Sequence, residues 1–300
     1  MLRILFVLFL TVAFLFPENT SAQTAQTVLD PTDATDSLKL LSWNIYMLPP
    51  VVKITGKRKR ARAIGEKLAQ SDYDVLVLQE AFHAGARRMI RHRLKELYPH
   101  ENGPAFRKAF SLKTSSGVWI LSKYPIKELG KVKFRQKAGF DNKMARKGAL
   151  MVEIDKDGQK FHIVGTHLNA GGSLDVRTSQ VRQIKDELID AHHEPGIPLI
   201  VAGDFNISKF DPSGLDSMLT ILEVEDYELD GDQKFTYDFT LNDLGDGKSQ
   251  GVIDYVYFRP EKLKVRRTSR RIPLIEKIWS KTRKSLADHN PVELLLYYKP

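Results

Sequence analysis

The feature of the sequence that most restricts its fold is a series of short apolar runs, each of strand length and most of them ending at a polar residue. The stretch VAGDFNIS at 201–208 is typical, because an apolar run passes through Gly203 directly to Asp204 and Asn206. The same kind of run predicts strands over 38–45, 74–78, 117–121, 149–154, 161–166, 198–202, 253–258 and 291–297.

Three segments have helical instead of strand periodicity. Apolar residues recur at helical spacing over 58–69, 85–97 and 174–192. Many strands with a few helices between them indicate two packed sheets that are covered by helices, with 291–297 as a final core strand. The predicted fold class is therefore α+β, in a single domain over residues 37–300.

The N-terminal segment differs in composition from the rest of the chain. Arg3 precedes an apolar run over 4–16, and Pro17 and small residues follow up to Ala22. Because this run is short for a membrane span, it predicts a signal peptide over residues 1–22, with an uncleaved anchor as the alternative. Residues 23–36 are polar and rich in threonine, which predicts a disordered lead-in. We therefore expect a secreted protein, with a periplasmic or anchored location as the alternatives.

Cysteine is absent and cations are in excess. The absence of cysteine excludes disulfides, thiol catalysis and thiolate metal sites. Lysine and arginine give a formal net charge of +9 and cluster at 57–62, 86–95 and 264–271. Such clusters are typical of solvated helix faces, and equally of surfaces that bind phosphates in nucleic acid or at a lipid surface. Composition leaves that choice open.

Acids, amides and histidines lie at the ends of the predicted strands. Turn chemistry explains any one of them, but it does not explain why they collect at strand ends throughout one domain. Strand ends on one edge of a sheet can bring such groups together. The candidate residues are Asn44, Glu80, His167, Asn169, Asp204, Asn206, Asp254, Asp288 and His289.

These residue types suit the hydrolysis of a phosphodiester. Hard oxygen ligands without cysteine favour Mg²⁺, with Mn²⁺ or Ca²⁺ as alternatives, and Glu80 with the amide of Asn44 is the predicted site. Two histidines can transfer protons or stabilise developing charge, and Asp254 can orient one imidazole. A metal, a base and a cationic group are the components needed for attack of water on phosphorus.

Taken in order, the motifs SWNIY, LVLQE, GTHL, GDFN, IDYV and ADHNPV resemble the endonuclease/exonuclease/phosphatase superfamily, which has the DNase I-like fold. The resemblance covers nearly the whole chain after the lead-in. It implies a four-layered α/β sandwich, in which two packed mixed sheets are flanked by helices and the site lies at one edge. Within that superfamily, the segments NIYMLPP, VRTSQ and RKGALMVEI are similar to segments of the bacterial and neutral sphingomyelinases.

The resemblance implies a metal site and a general base. Glu80 would bind Mg²⁺, Asn44 would assist at the metal and its water, and Asp288 would lie close to the metal. His289 would act as the general base, and Asp254 would orient it.

The resemblance also implies groups that act on the phosphate. His167 would stabilise the phosphorane, while Asp204 and Asn206 would orient the phosphate or the nucleophilic water. Lys147 matches a family lysine that approaches the substrate phosphate, and Asp141 is a candidate for its partnering acid.

The predicted function is that of a secreted, Mg²⁺-dependent sphingomyelin phosphodiesterase of the phospholipase C type, which forms ceramide and phosphocholine. We expect a monomer that acts at a membrane surface. Segment 272–280, IPLIEKIWS, would suit this role if its aliphatic residues and Trp279 formed an exposed loop between flanking cations. The alternative is a DNase I-like metal-dependent nuclease, whose basic segments would follow nucleic acid phosphates. A non-catalytic binding protein is disfavoured, because every catalytic position has the expected residue type.

Overall fold

The fold is taken from a computed structural model of the chain, which describes residues 36–52, 54–106, 114–136, 138, 145–245 and 247–299. The predicted signal peptide, Asp141 and all of the predicted lead-in except Asp36 lie outside these residues. The proposed boundaries at 22 and 36 therefore stay predictions.

Helices and strands alternate irregularly along the described residues. The strands are β1 (Asp36–Met47), β2 (Val75–Ala81), β3 (His100–Asn102), β4 (Trp119–Ser122), β5 (Ile126–Lys133), β6 (Gly148–Lys156), β7 (Gln159–His167), β8 (Leu199–Asp204), β9 (Tyr237–Asp238), β10 (Gln250–Gly251), β11 (Asp254–Arg259), β12 (Lys264–Arg271) and β13 (Val292–Lys299). The helices are α1 (Lys57–Ala69), α2 (Ala84–Leu94), α3 (Leu174–Ile184) and α4 (Pro212–Leu222). A π-helical turn, Lys185–Ile189, and a short α-helical turn, Asp190–His192, extend α3.

Most strands belong to two mixed sheets. The first has the order β12-β13-β1-β2-β4-β3, and the second has the order β11-β8-β7-β6-β5. β1 is parallel to β2, and β7 is parallel to β8, while the remaining neighbours are antiparallel. The parallel pairs matter for function, because parallel strands end at the same edge of their sheet.

Side-chain alternation along β1 explains why helices and sheets form layers. Leu38 and Leu40 belong to the core that includes the second sheet, whereas Trp43 and Ile45 pack with the core under α1 and α2. Because successive side chains of a strand point to opposite faces, a strand that is apolar on both faces must be covered on both. The predicted α+β fold with two packed sheets flanked by helices is confirmed.

Six elements were not predicted: the short strands β3, β9 and β10, the charged strands β5 and β12, and the helix α4. β5 and β12 are highly charged strands, and each lies at the edge of its sheet. Lysine and arginine are common on edge strands, where they discourage pairing with other chains. The short helix α4 begins after Asp211, whose side chain accepts a hydrogen bond from the backbone of Gly214. Among the described residues, no helix is both long enough and apolar enough to cross a membrane.

Candidate active site

Three strand ends of the second sheet place a histidine and two acids in one row. The strand register sets His167 opposite Asp204, and Asp204 opposite Asp254. All three residues are buried. The structure therefore brings together three of the residues that the sequence marked at separate strand ends.

The first sheet contributes an amide and a carboxylate to the same edge. Asn44 on β1 is paired with Gln79 on β2, and Glu80 is the next residue. The Asn44 side chain donates from Nδ2 to Oδ2 of Asp204 over 3.0 Å, which links the two sheets. The site is therefore shared between the sheets.

Residues with an unusual backbone conformation occur at this edge. Seven described residues other than glycine have a positive φ, and three of them are Tyr46, Glu80 and Asn206, with φ of 52°, 53° and 50°. L-residues seldom adopt this region, which costs on the order of 1–3 kcal/mol each. Strain of this kind is typical of functional sites, because the surrounding structure must maintain it.

Asp204 is the central acceptor of the site. Its Oδ1 accepts from the backbone N–H of Asn206 at 3.0 Å, and its Oδ2 accepts from Asn44. The Asn206 side chain in turn donates to the carbonyl of Leu168 at 3.2 Å. Burial, together with the charge of Asp254, raises the pKa of Asp204 to about 7. This carboxylate is therefore held in place but is costly to ionise until positive charge approaches it.

Lys147 fixes the orientation of His167. Its ammonium lies 2.9 Å from Nε2 of His167 and donates to the carbonyl of Leu168 at 2.7 Å. Burial and the nearby positive charge of Lys147 hold the pKa of His167 well below its usual value, so the ring is neutral. With Lys147 donating, Nε2 is the acceptor and Nδ1 carries the proton. Nδ1 is buried and has no partner among the described residues, so it is an available donor.

His289 and Asp254 form a hydrogen-bonded pair. Nδ1 of His289 lies 2.9 Å from Oδ2 of Asp254, and Nε2 is left for other contacts. The indole of Trp43 donates to the backbone carbonyl of His289 at 2.9 Å. This bond links the segment that precedes β13 to β1. Burial opposes ionisation of His289, but the Asp254 carboxylate outweighs it and raises the imidazole pKa well above its usual value.

Glu80 and Asp288 are two neighbouring acids, each of which has a carboxylate oxygen without a hydrogen-bond partner. Oε2 of Glu80 and Oδ1 of Asp288 are buried and accept no hydrogen bond from the described residues. Burial and the charge of Asp288 raise the pKa of Glu80 to about 8, and burial also raises the pKa of Asp288. Unpaired buried carboxylate oxygens of this kind suit a hard divalent cation. Such a cation would bind the unpaired oxygens and would lower the raised pKa values of the two acids.

A second group could also hold an ion. It consists of one possible ligand atom from each of Asp204, Asp254 and His289, and these three atoms lie within 4.8 Å of one another. However, Asp254 is already paired with His289, and both oxygens of Asp204 accept hydrogen bonds. Oδ1 of Asp254 is also buried without a partner among the described residues, but Glu80 and Asp288 together offer two such oxygens, so we favour their side of the site.

Arg60 is a site residue that sequence reasoning missed. It is completely buried, and it donates to the carbonyl of Leu286 at 2.7 Å and to the carbonyl of Tyr46 at 3.0 Å. Its positive charge acts on Glu80 and Asp288. Its burial could have been predicted from the helical periodicity, because Arg60 lies four residues before Ile64 and therefore on the apolar face of α1.

The segment over 272–280 is part of a short hairpin, in which Glu276 bridges to Ser285. The expectation that Trp279 is exposed is wrong: its ring packs against Gly56 at the start of α1, and its Nε1 donates to Ser285 at 2.8 Å. The strand-like alternation turns Trp279 inward and its neighbour Ile278 outward. Leu274 and Ile278 are the exposed apolar residues, at 60% and 79% exposure.

Comparison with known proteins identifies the class of this chain. Residues 41–289 match the model of the Endonuclease/Exonuclease/phosphatase family, so the chain belongs to that family. A phospholipase C from Staphylococcus aureus is 31% identical over 260 residues, which cover 80% of this chain and 74% of that protein. A sphingomyelinase C from Bacillus cereus is 30% identical over 200 residues, 60% of each chain. The fold and the relatives together define a metal-dependent phosphodiesterase.

Solved structures agree with this assignment. A mutant of beta toxin from Staphylococcus aureus with bound magnesium ions superposes with a TM-score of 0.77 at 26% identity, covering 88% of this chain and all of that one. Sphingomyelinase C from Streptomyces griseocarneus shares the fold, with a TM-score of 0.76 at 24% identity over 86% of this chain and 99% of that chain. Within its family, the chain thus resembles the bacterial sphingomyelinases.

Proposed function

We propose that this chain is a secreted Mg²⁺-dependent sphingomyelin phosphodiesterase that forms ceramide and phosphocholine. The observation that carries the proposal is the His289–Asp254 pair beside two half-buried acids, Glu80 and Asp288, each with one buried and unpaired oxygen. The names of its relatives, phospholipase C and sphingomyelinase C, support the lipid substrate. Export by the N-terminal segment and action as a monomer are parts of the same proposal.

His289 is proposed as the general base. Asp254 holds Nδ1, so Nε2 can accept a proton from the attacking water. A new bond forms between the water oxygen and phosphorus, and the bond between phosphorus and the ceramide oxygen breaks. The proton taken by His289 returns to solvent, and the ceramide oxygen takes up a proton as it leaves.

His167 and Lys147 are proposed to stabilise the charge that develops on phosphorus. The Nδ1–H of His167 is buried and available, and Lys147 places a positive charge behind the ring. A donor that is already oriented loses little entropy when charge develops, which is the basis of electrostatic stabilisation. Asp204 and Asn206 would orient the phosphate or the water beside them.

Glu80, Asn44 and Asp288 are proposed to hold the metal ion. The unpaired oxygens of Glu80 and Asp288 fit the ligand preference of Mg²⁺, with Mn²⁺ or Ca²⁺ as alternatives. When bound, Mg²⁺ supplies the positive charge that polarises the phosphate and that lowers the raised pKa values around it, that of His289 included.

The exposed face near the site supports action at a membrane surface. Leu274 and Ile278 are exposed on the hairpin, and Leu274 lines a cavity that also includes His289. Lys281 and Lys284 are exposed cations of the same hairpin. Apolar side chains beside cations are typical of surfaces that enter a lipid interface, where the cations meet phosphates.

The decisive experiment is a choice of substrates. Purified protein is incubated with sphingomyelin liposomes and, separately, with supercoiled plasmid DNA, each with Mg²⁺ or with EDTA. We expect release of phosphocholine from the liposomes with Mg²⁺ and none with EDTA. Nicking of the plasmid with no release of phosphocholine would overturn the proposal in favour of a nuclease.

A further inference from the structure

A groove between α1 and α2 is lined by cationic and histidine side chains. Its lining residues are Arg58, His83, Gly85, Arg88, Met89 and His92, and we call it the α1–α2 groove. No acidic residue is among them. The two basic stretches at 57–62 and 86–95 are distant in sequence, but in the structure they contribute to one concave surface.

The charges of the groove are not compensated within the described part of the chain. Arg58 and Arg88 are exposed, and neither forms an ion pair with a described residue. Two other cations of α2 are paired: Arg93 with Glu66 at 3.3 Å, and Arg91 with Glu101 at 3.1 Å. The charges of Arg58 and Arg88 are therefore not neutralised by a described acid at the groove.

The starts of both helices add to this potential. Neither α1 nor α2 has an acidic residue in its first turn, although a helix N-terminus favours acids there. At α2 the cap is His83, whose Nδ1 accepts from the backbone N–H of Ala86 at 3.0 Å. Burial and the charges of Lys57, Arg87 and Arg88 lower the pKa of His83, which is consistent with a strongly positive surrounding.

The loop that leads into α1 presents an exposed apolar side chain. Val51 is 73% exposed, and the loop that carries it is fixed by Lys57. The Lys57 ammonium donates to the carbonyls of Leu48, Pro49 and Val52 at 3.0–3.2 Å. The exposure of Val51 is therefore built into the structure, and an apolar residue next to cations suits a lipid interface.

From these observations we propose that the α1–α2 groove binds the phosphate headgroups of anionic phospholipids in a membrane. Two arginines and His92 supply donors for phosphate oxygens, and Val51 enters the interface. Single-stranded nucleic acid is disfavoured, because such sites use aromatic rings for base stacking and the groove offers no tryptophan, tyrosine or phenylalanine. Position supports the inference, since α2 begins four residues after Glu80, near the candidate active site.

Vesicle co-sedimentation of the full chain tests this proposal. Phosphatidylcholine vesicles are compared with vesicles in which one fifth of the lipid is phosphatidylglycerol, and neither contains sphingomyelin. We expect tighter binding to the anionic vesicles. The double variant R58Q/R88Q should lose about thirtyfold in that affinity, as expected for two surface cations. The proposal builds on the proposed action at membranes, but vesicles without substrate keep the two testable apart.

A matched control removes two exposed cations elsewhere. The double variant K264Q/R267Q on β12 loses the same charge and should keep most of the binding. An equal loss in both double variants would overturn the proposal, because net charge alone would then explain binding. If R58Q/R88Q does not fold, as judged by its melting curve, the single variant H92E replaces it and should weaken binding to anionic vesicles.

Two further measurements distinguish a lipid headgroup from free phosphate and from nucleic acid as the ligand of the groove. Inorganic phosphate is titrated into the protein by calorimetry, and a single-stranded oligonucleotide is tested by gel shift. Saturable binding of inorganic phosphate that R58Q/R88Q abolishes, with no preference for anionic vesicles, would overturn the lipid proposal in favour of a soluble phosphate ligand. Loss of oligonucleotide binding alone in R58Q/R88Q would overturn it in favour of nucleic acid.

Discussion

The side chain of Asn44 on the first sheet donates to Asp204 on the second sheet over 3.0 Å, at a point where both residues are buried. This hydrogen bond connects Asn44, a proposed residue of the metal site, with the row of His167, Asp204 and Asp254 at the ends of β7, β8 and β11. Its loss would free Asp204 and leave a buried carboxylate oxygen without its donor.

Asn44→Ala should therefore lower activity and stability together. A buried acceptor left unpaired costs about 1–3 kcal/mol, so urea unfolding should detect a loss of that size. The rate of phosphocholine release should fall as well. Asn102→Ala is the matched control, since Asn102 donates to Glu128 at 2.9 Å on the surface. Equal effects of the two substitutions would contradict a special role for Asn44.

His289→Ala should nearly abolish turnover while the protein stays folded. A general base contributes about 10²–10⁴-fold to the rate, so kcat should fall within that range. Asp254→Asn should also lower kcat, because the amide no longer favours the orientation and charge of the imidazole. His192→Ala removes an exposed histidine and should leave kcat unchanged. Retention of more than about a tenth of kcat in His289→Ala would refute the base assignment.

Stability should depend on pH through Glu80. Its pKa in the folded protein is about 8, raised by burial and by Asp288, so the folded state binds a proton that the unfolded state releases near its ordinary value. The stability contributed by this proton is complete below the unfolded pKa and is lost as pH rises through about 8. Without metal, the free energy of unfolding should fall from about pH 6 to about pH 8.

Mg²⁺ should reverse this trend, because a cation binds the ionised carboxylate. The increase in melting temperature that Mg²⁺ produces should be larger at about pH 8 than at about pH 6. Glu80→Gln cannot ionise and should show a smaller pH dependence and a smaller response to Mg²⁺. A response to Mg²⁺ that is unchanged in Glu80→Gln would place the ion elsewhere in the site.

Arg60→Met should destabilise the protein and raise the Mg²⁺ concentration needed for half-maximal stabilisation. The substitution leaves the carbonyls of Leu286 and Tyr46 without their buried donor, at a cost of about 1–3 kcal/mol for each. It would also loosen the segments beside Asn44 and Asp288, two of the proposed metal ligands. Arg62→Met is the control, because Arg62 lies on the same helix but is exposed. Identical Mg²⁺ titrations for the two variants would show that Arg60 has no positioning role.

Much of the fold could be predicted because apolar periodicity is a local property. The predicted strand over 161–166 lies inside β7, and that over 149–154 lies inside β6. β12 was missed, because a strand at a sheet edge tolerates a charged sequence that resembles a solvated surface.

The sequence by itself determined which residue types stand at the strand ends, and hence the chemistry that the site can perform. Only the tertiary structure decided which of them meet. The strand register sets Asp204 opposite both His167 and Asp254, and a packing between sheets brings Asn44 to Asp204. Trp279 packs inward for the same reason, because burial is decided by contacts between segments distant in sequence, and local periodicity does not contain them.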